Sequence, residues 1–160
     1  MRYPVVFLPG IIAPAAIRYG PLLERLSDVN VVVKDLAVYD DDEPPPDYSI
    51  DTELVALQRV VDESGFDRFH LYGHSGGGAV ALAYAASHGD RLQSLAVDEP
   101  ASDMTDEGDE VYDWPAFDEA ALLPPAESMA AFMRLQVADD VVLPEPPPGN
   151  PPPWPTIVRV

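Results

Sequence analysis

The chain has 160 residues, of which 47% are hydrophobic, and this length and composition are typical of one globular domain with a buried core. Its formal net charge of -19 argues against nucleic acid and against an anionic membrane surface as partners, because both would repel the chain. The sequence contains no cysteine, which excludes disulfide bonds and thiolate metal sites. Prolines interrupt the apolar N-terminal stretch, so we expect a cytoplasmic protein without a signal peptide. We also expect neither a metal ion nor a cofactor.

The first half of the chain alternates apolar strands with amphipathic helices. A branched and aromatic run at Val5–Leu8 ends at a Pro-Gly pair and predicts a buried strand. Apolar residues at helical spacing predict a helix from Ala15 to Leu26, and three consecutive valines predict a second strand from Asn30 to Leu36. After an acidic, proline-rich loop, we expect a helix from about Ile50 to Ser64, capped by Ser49.

The same alternation continues through the middle of the chain. Phe69–Tyr72 predicts a third strand, Ala79–Ala86 predicts an alanine-rich helix, and Leu92–Val97 predicts a fourth strand. Repeated strand-helix units with almost wholly apolar strands predict an α/β fold, in which a parallel sheet carries helices on both faces. Ligands of such sheets bind at the carboxyl ends of the strands, where we expect Ser75 and Asp98.

The composition changes after Asp98. No lysine or arginine occurs from Leu92 to Met133, acidic residues are frequent, and a short helix is predicted from about Pro125 to Val137. The prolines that follow predict an extended or polyproline II segment. We therefore predict a core over residues 1–101, an acidic helical segment over 102–143 and a proline-rich segment over 144–160.

The most informative motif is Gly73-His74-Ser75-Gly76-Gly77, which lies between the third strand and its helix. A serine at such a turn, with glycines two residues before and two residues after it, is typical of a nucleophile elbow. Glycine is needed at positions 73 and 77 for a steric reason, because the serine backbone is strained and has room only for small neighbours. The alternative is a glycine-rich turn that binds phosphate or only packs.

With these residues in view, the chain resembles the α/β-hydrolase family over about Tyr3 to Ala101. The resemblance is carried by Phe7-Leu8-Pro9-Gly10, by the motif around Ser75 and by Leu95-Ala96-Val97-Asp98-Glu99-Pro100. It implies a serine hydrolase in which Ser75 is the nucleophile and the backbone N–H groups of Ile11 and Gly76 form the oxyanion hole. It also implies that the acidic segment after Asp98 is a partial cap over the substrate.

The mechanism implied by the resemblance is acyl transfer to Ser75, which needs a histidine base and an acid that orients it. Asp98 is the better placed acid, with Glu99 beside it, although a structural loop role is equally open for Asp98. We expect no base among His70, His74 and His88, because His74 points away from the turn, His70 begins its strand and His88 lies about 20 Å along the helix. The expectation is therefore a nearly inactive fragment or frameshifted product of a longer enzyme.

Two further readings stay open at this point. One is a non-catalytic binding module with the same fold, and the other is an interaction protein whose Pro146–Pro155 tract docks on an aromatic groove. The hydrolase reading implies a small acyl substrate, such as a carboxylic ester or lactone, and leaves the oligomeric state undetermined. A fold without further strands would also leave one sheet edge unpaired, which predicts self-association.

Overall fold

The computed structural model describes residues 3–10, 14–39, 47–101, 115–135 and 137–143. Ile11, the acidic loop at 40–46, most of the acidic segment before residue 115 and the proline-rich segment at 144–160 lie outside these residues, and so do the predictions made for them. The elements are β1 (Tyr3–Leu8), α1 (Ala15–Leu23), β2 (Val29–Val33), α2 (Ile50–Glu63), β3 (Phe69–His74), α3 (Gly76–His88), β4 (Leu92–Asp98), α4 (Pro115–Ala121) and α5 (Pro125–Leu135).

The four strands form one parallel sheet in the order β2-β1-β3-β4, so the predicted α/β fold is confirmed. Leu8 at the end of β1 lies opposite Gly73, and His74 at the end of β3 lies opposite Asp98 at the end of β4. We call the side of the sheet where these strands end the carboxyl edge. This register brings the serine motif and the chain after β4 together.

Helices cover the sheet on both faces. On one face, Val6, Leu8 and Leu71 pack with the apolar sides of α2 and α3 into the main core. On the other face, Phe7 packs against Ala15 and Tyr19 of α1. Consecutive residues of β1 therefore belong to different cores, as the alternation of side chains along a strand requires.

Several predicted boundaries shift by a few residues. Helix α1 ends at Leu23 instead of Leu26, because the amides of Arg25 and Leu26 bond to carbonyls three residues back and tighten the last turn. Strand β2 ends at Val33 instead of Leu36, and the chain then forms a 3₁₀ turn at Ala37–Tyr39. Ser49 occupies the predicted N-cap position of α2, where its amide donates to Thr52 Oγ1 at 3.3 Å.

The chain divides after Ser102 into two compact units. The first holds the sheet and α1 to α3, and in the second α4 packs against α5, where Ser128 is fully buried. Helix α4 is absent from the sequence prediction, and α5 ends at Leu135 instead of Val137. Among the described residues, no helix has the length and apolarity to cross a membrane.

Candidate active site

Ser75 forms the sharp turn between β3 and α3. Its backbone has φ 51° and ψ -121°, a conformation that L residues rarely adopt. The Ser75 carbonyl accepts hydrogen bonds from the amides of Gly78, Ala79 and Ala101 at 2.8, 3.1 and 2.9 Å. The Ser75 amide donates to the Asp98 carbonyl at 3.0 Å. Both α3 and the chain after β4 therefore hold the strained turn in place.

Three glycines allow the close packing around this turn. A side chain at Gly73 would collide with the carbonyl of Gly77, and one at Gly77 would collide with the end of β1. A Cβ atom at Gly78 would lie only 2.9 Å from Pro100. None of the three has a positive φ, so glycine is required here for space and not for backbone freedom.

The end of β1 lies directly against the turn. The Gly77 amide donates to the Pro9 carbonyl at 3.1 Å, and a Cβ atom at Gly10 would lie 3.5 Å from Ser75 Oγ. Within the described residues, the Gly76 amide has no acceptor. This amide fits the first oxyanion donor, whereas the second proposed donor, Ile11, lies outside the described residues.

Asp98 contacts two side chains of β3. Its Oδ2 atom accepts a hydrogen bond from the Tyr72 hydroxyl at 3.1 Å and lies 3.3 Å from Nδ1 of His74. The Asp98 side chain is 49% exposed, so a group approaching from solvent can still reach it. The next residue, Glu99, has a φ of 46°, which turns the chain sharply after β4. Asp98 therefore lies at the carboxyl edge, as predicted, already paired with Tyr72 and His74.

Tyr72 of β3 and Tyr19 of α1 belong to the same apolar cluster on one face of the sheet. Burial, followed by the hydrogen bond to Asp98, raises the pKa of Tyr72, so its hydroxyl stays protonated and donates. Burial also raises the pKa of Tyr19 to about 12, and its hydroxyl donates to the Leu8 carbonyl at 2.9 Å. The rings of Tyr19, Tyr72 and Phe7 contact one another with centroids 5.2 to 5.8 Å apart.

The other two histidines lie away from this edge. His70 is at the start of β3, with Nδ1 2.8 Å from Ser94 Oγ, and His88 ends α3, stacked on Tyr84. The His74 ring lies close to Gly10, and its Nδ1 atom is 3.3 Å from Asp98 Oδ2. In the described part of the chain, no histidine nitrogen is hydrogen-bonded to Ser75 Oγ.

Sequence reasoning missed two residues that support the site. Tyr72 was treated only as an apolar strand residue, although alternation along β3 places it on the same face as His74. The Asp35 carboxylate accepts a hydrogen bond from the Ala15 amide at 2.6 Å and so holds the start of α1, beyond the loop that follows β1. Its position just after β2 was the available signal.

Comparison with known proteins agrees with this fold. A family model described as the alpha/beta hydrolase fold matches residues 3–147. A Caulobacter segnis protein named "Putative carbamate hydrolase RutD" is 41% identical over 54 residues, which are 34% of this chain and 20% of that protein.

Solved structures share the fold at lower identity. A probable hydrolytic enzyme from Pseudomonas aeruginosa has a TM-score of 0.66 and 17% identity, covering 99% of this chain and 52% of its own. An enol-lactonase from Burkholderia xenovorans has a TM-score of 0.52 and 21% identity, covering 59% of this chain and 37% of its own. The chain thus spans about half or less of the length of these proteins. Because the family model matches more than half of the sequence, the chain belongs to the α/β-hydrolase fold family.

Proposed function

We propose that this chain carries the nucleophile half of a serine hydrolase, in which Ser75 attacks a small acyl compound. The strained backbone of Ser75 is the observation that carries the proposal. Strain of this kind costs on the order of 1–3 kcal/mol and persists only where the surrounding structure holds it. A turn that only packed, or that bound phosphate through its amides, would have no need to present a serine hydroxyl in this way.

The surroundings of Ser75 support the chemistry. The Gly76 amide is the first of α3 and lacks an acceptor among the described residues, so it can stabilise the oxyanion of a tetrahedral intermediate. The loop after β1, which contains Ile11, begins beside Ser75 Oγ and would supply the second donor. Asp98 is the proposed acid, because it is the last residue of β4, the strand beside β3, and its side chain is half exposed to solvent.

The reaction proposed is the two-step hydrolysis of an acyl compound. Ser75 Oγ forms a bond to the acyl carbon and gives its proton to a base, and the leaving group departs with a proton. Water then cleaves the acyl-enzyme and releases the acid. None of the described residues is placed as the base, so we expect this chain alone to acylate slowly. Removing the base from a comparable triad costs on the order of 10⁶ in turnover.

The substrate class proposed is a carboxylic ester, lactone or carbamate. The names of the enol-lactonase and of the Caulobacter segnis carbamate hydrolase both describe acyl compounds of this kind. The net charge of -19 favours an uncharged or cationic substrate over a polyanion.

A fluorophosphonate probe tests the nucleophile directly. We expect slow labelling of one serine per chain, lost in Ser75→Ala and retained in Ser87→Ala, which removes a serine at the far end of α3. Mass spectrometry of the labelled peptide would locate the adduct. If the folded protein stays unlabelled over hours at millimolar probe, or if labelling persists in Ser75→Ala, the proposal is wrong and a non-catalytic binding module takes its place.

A further inference from the structure

Three potential metal ligands meet at the carboxyl edge. They are His74, the last residue of β3, and Asp98 and Glu99 at and after the end of β4. One ligand atom from each residue lies within 4.8 Å of the others. The parallel register accounts for this, because His74 and Asp98 are direct partners across the two strands. Within the described residues, no other group of three such side chains comes together.

The ligand types and spacings suit a divalent transition metal. Zinc takes nitrogen from histidine and oxygen from carboxylates at about 2.0–2.2 Å, so that neighbouring ligand atoms lie about 3–3.5 Å apart. His74 Nδ1 and Asp98 Oδ2 are 3.3 Å apart already. A carboxylate oxygen of the exposed Glu99 lies within 4.8 Å of a ligand atom of each of the other two residues and would be the third ligand. Water would occupy the remaining position, as in open zinc sites.

The state of the His74 ring is a second, independent observation. Its Nδ1 atom has essentially no solvent-accessible surface and, within the described residues, makes no hydrogen bond of acceptable geometry. The Asp98 carboxylate is near enough for ion pairing but is not directed for a hydrogen bond. A buried ring nitrogen without a hydrogen bond is costly, and a metal ion between it and the carboxylate would satisfy both groups.

The neighbouring residues strengthen the site. The Tyr72 hydroxyl donates to Asp98 Oδ2 at 3.1 Å and restricts the orientation of the carboxylate, as outer groups around metal ligands do. The two carboxylates and the large negative charge of the chain attract a cation to this edge.

We propose that His74, Asp98 and Glu99 bind one divalent transition-metal ion, with Zn²⁺ as the reference ion. This proposal differs from the expectation of no metal stated from the sequence. The site does not depend on the reactivity of Ser75, although it uses the carboxylate proposed above as the acid. A bound ion would therefore withhold Asp98 from a histidine base.

Zinc titration of the intact chain tests the site, with a chromogenic chelator as the competitor. We expect one tight equivalent of Zn²⁺, weakened at least about tenfold in His74→Ala, Asp98→Asn and Glu99→Gln. His70→Ala is the matched control, since it removes a histidine from the same strand and is expected to leave the affinity unchanged. Ser75→Ala is also expected to bind Zn²⁺ normally, which separates this test from that of the nucleophile.

Imidazole ¹⁵N spectra of the wild-type protein give a readout that does not depend on the folding of a variant. With one equivalent of Zn²⁺, we expect the nitrogen signals of His74 to shift while those of His70 and His88 stay in place. Calcium, which binds carboxylates without needing imidazole, should leave all three rings unchanged. Equal shifts of all three rings, shifts of His70 or His88 alone, or an affinity unaffected by His74→Ala would overturn the proposal.

Discussion

At the scale of single residues, the turn at Ser75 combines a strained backbone with very close packing. The hydrogen bonds to its amide and carbonyl come from both sides of the turn, and the glycines at 73 and 77 leave no room for a methyl group. The spacing of these glycines around a serine was visible in the sequence, which is why the turn and its steric requirement could be predicted. The ion pair between His74 and Asp98 could not be predicted, because it depends on the register of two strands.

Replacing Gly73 by alanine is expected to destabilise the protein by about 1–3 kcal/mol, the usual cost of overpacking. The added Cβ atom would collide with the Gly77 carbonyl, which belongs to a rigid helix start. Gly89→Ala is the control, because Gly89 has an ordinary helical φ of -58° and open space around it. It should be neutral or stabilising by less than about 1 kcal/mol. Urea unfolding measures the change in the free energy of unfolding for both variants. Equal changes in Gly73→Ala and Gly89→Ala would contradict the packing argument.

The buried Tyr19 predicts a loss of stability at high pH. Because folding raises the pKa of its phenol from 10.0 to about 12, the folded state keeps the proton after the unfolded state has lost it. The stabilising contribution of the Tyr19 phenol to the free energy of unfolding is therefore complete below pH 10 and is lost as the pH rises toward about 12.

Urea midpoints across this range should fall less steeply in Tyr19→Phe than in the wild type. Tyr3→Phe, which changes a well-exposed ring, should keep the wild-type slope. Identical slopes for all three proteins would show that the Tyr19 phenol titrates alike in the folded and unfolded states.

At the scale of elements, one buried ion pair joins the end of β2 to the start of α2. Lys34 Nζ lies 3.2 Å from Glu53 Oε2, and both side chains are almost fully buried. The Glu53 carboxylate also accepts hydrogen bonds from the Tyr48 hydroxyl and the Val38 amide. Lys34 further donates to the Asp35 carbonyl, so the pair stabilises the residue that holds the start of α1.

Glu53→Gln should cost about 3 kcal/mol, because it leaves the Lys34 ammonium buried without a counter-charge. Adding Lys34→Met to Glu53→Gln should restore part of that stability, since the uncompensated charge is then gone. The exposed pair of Arg91 and Asp62 is the comparison, and Asp62→Asn should have a much smaller effect. Thermal unfolding of these three variants, of Lys34→Met alone and of the wild type measures the effects, and additive losses in the double variant would contradict the pairing.

Long periodic elements could be predicted from the sequence, whereas short or contact-dependent ones could not. Helix α2 has fourteen residues, a clear apolar face and acidic residues in its first turn, so its bounds were predicted within one residue. Helix α4 has only seven residues and follows an acidic stretch without apolar periodicity. The Lys34–Glu53 pair links residues that are 19 positions apart, and no local pattern indicates that they meet.

At the scale of the whole molecule, the net negative charge and the edge strand β4 have opposite effects on self-association. In the described part of the chain, β4 pairs only with β3, and Leu92–Val97 contains neither a charged residue nor a proline. Edges of this kind promote pairing with other chains. The net charge of -19 opposes such contacts over distances of about a Debye length, roughly 8 Å at physiological ionic strength.

We therefore expect self-association to increase with salt, as screening removes the repulsion. Ala96→Lys, which adds a charge to the exposed edge strand, should suppress this increase. Ala86→Lys makes the same change in net charge on the exposed side of α3 and should not suppress it. Light scattering from 0.05 to 1 M NaCl, about the range over which screening lengths shorten severalfold, measures the effect. Equal behaviour of the two variants would assign association to another surface.

The strand order β2-β1-β3-β4 also governs how the chain can fold during its synthesis. In this order β1 and β2 can pair first, β3 can then join the free side of β1, and β4 can join β3, so no later strand has to insert between two earlier ones. Domains emerge from the ribosome N-terminus first, and this sheet can grow by addition at its margin as each strand appears. The turn at Ser75 is complete only when Asp98 and Ala101 have arrived to bond with it. The hydrogen bonds of this turn can therefore form only after the strands around it are present.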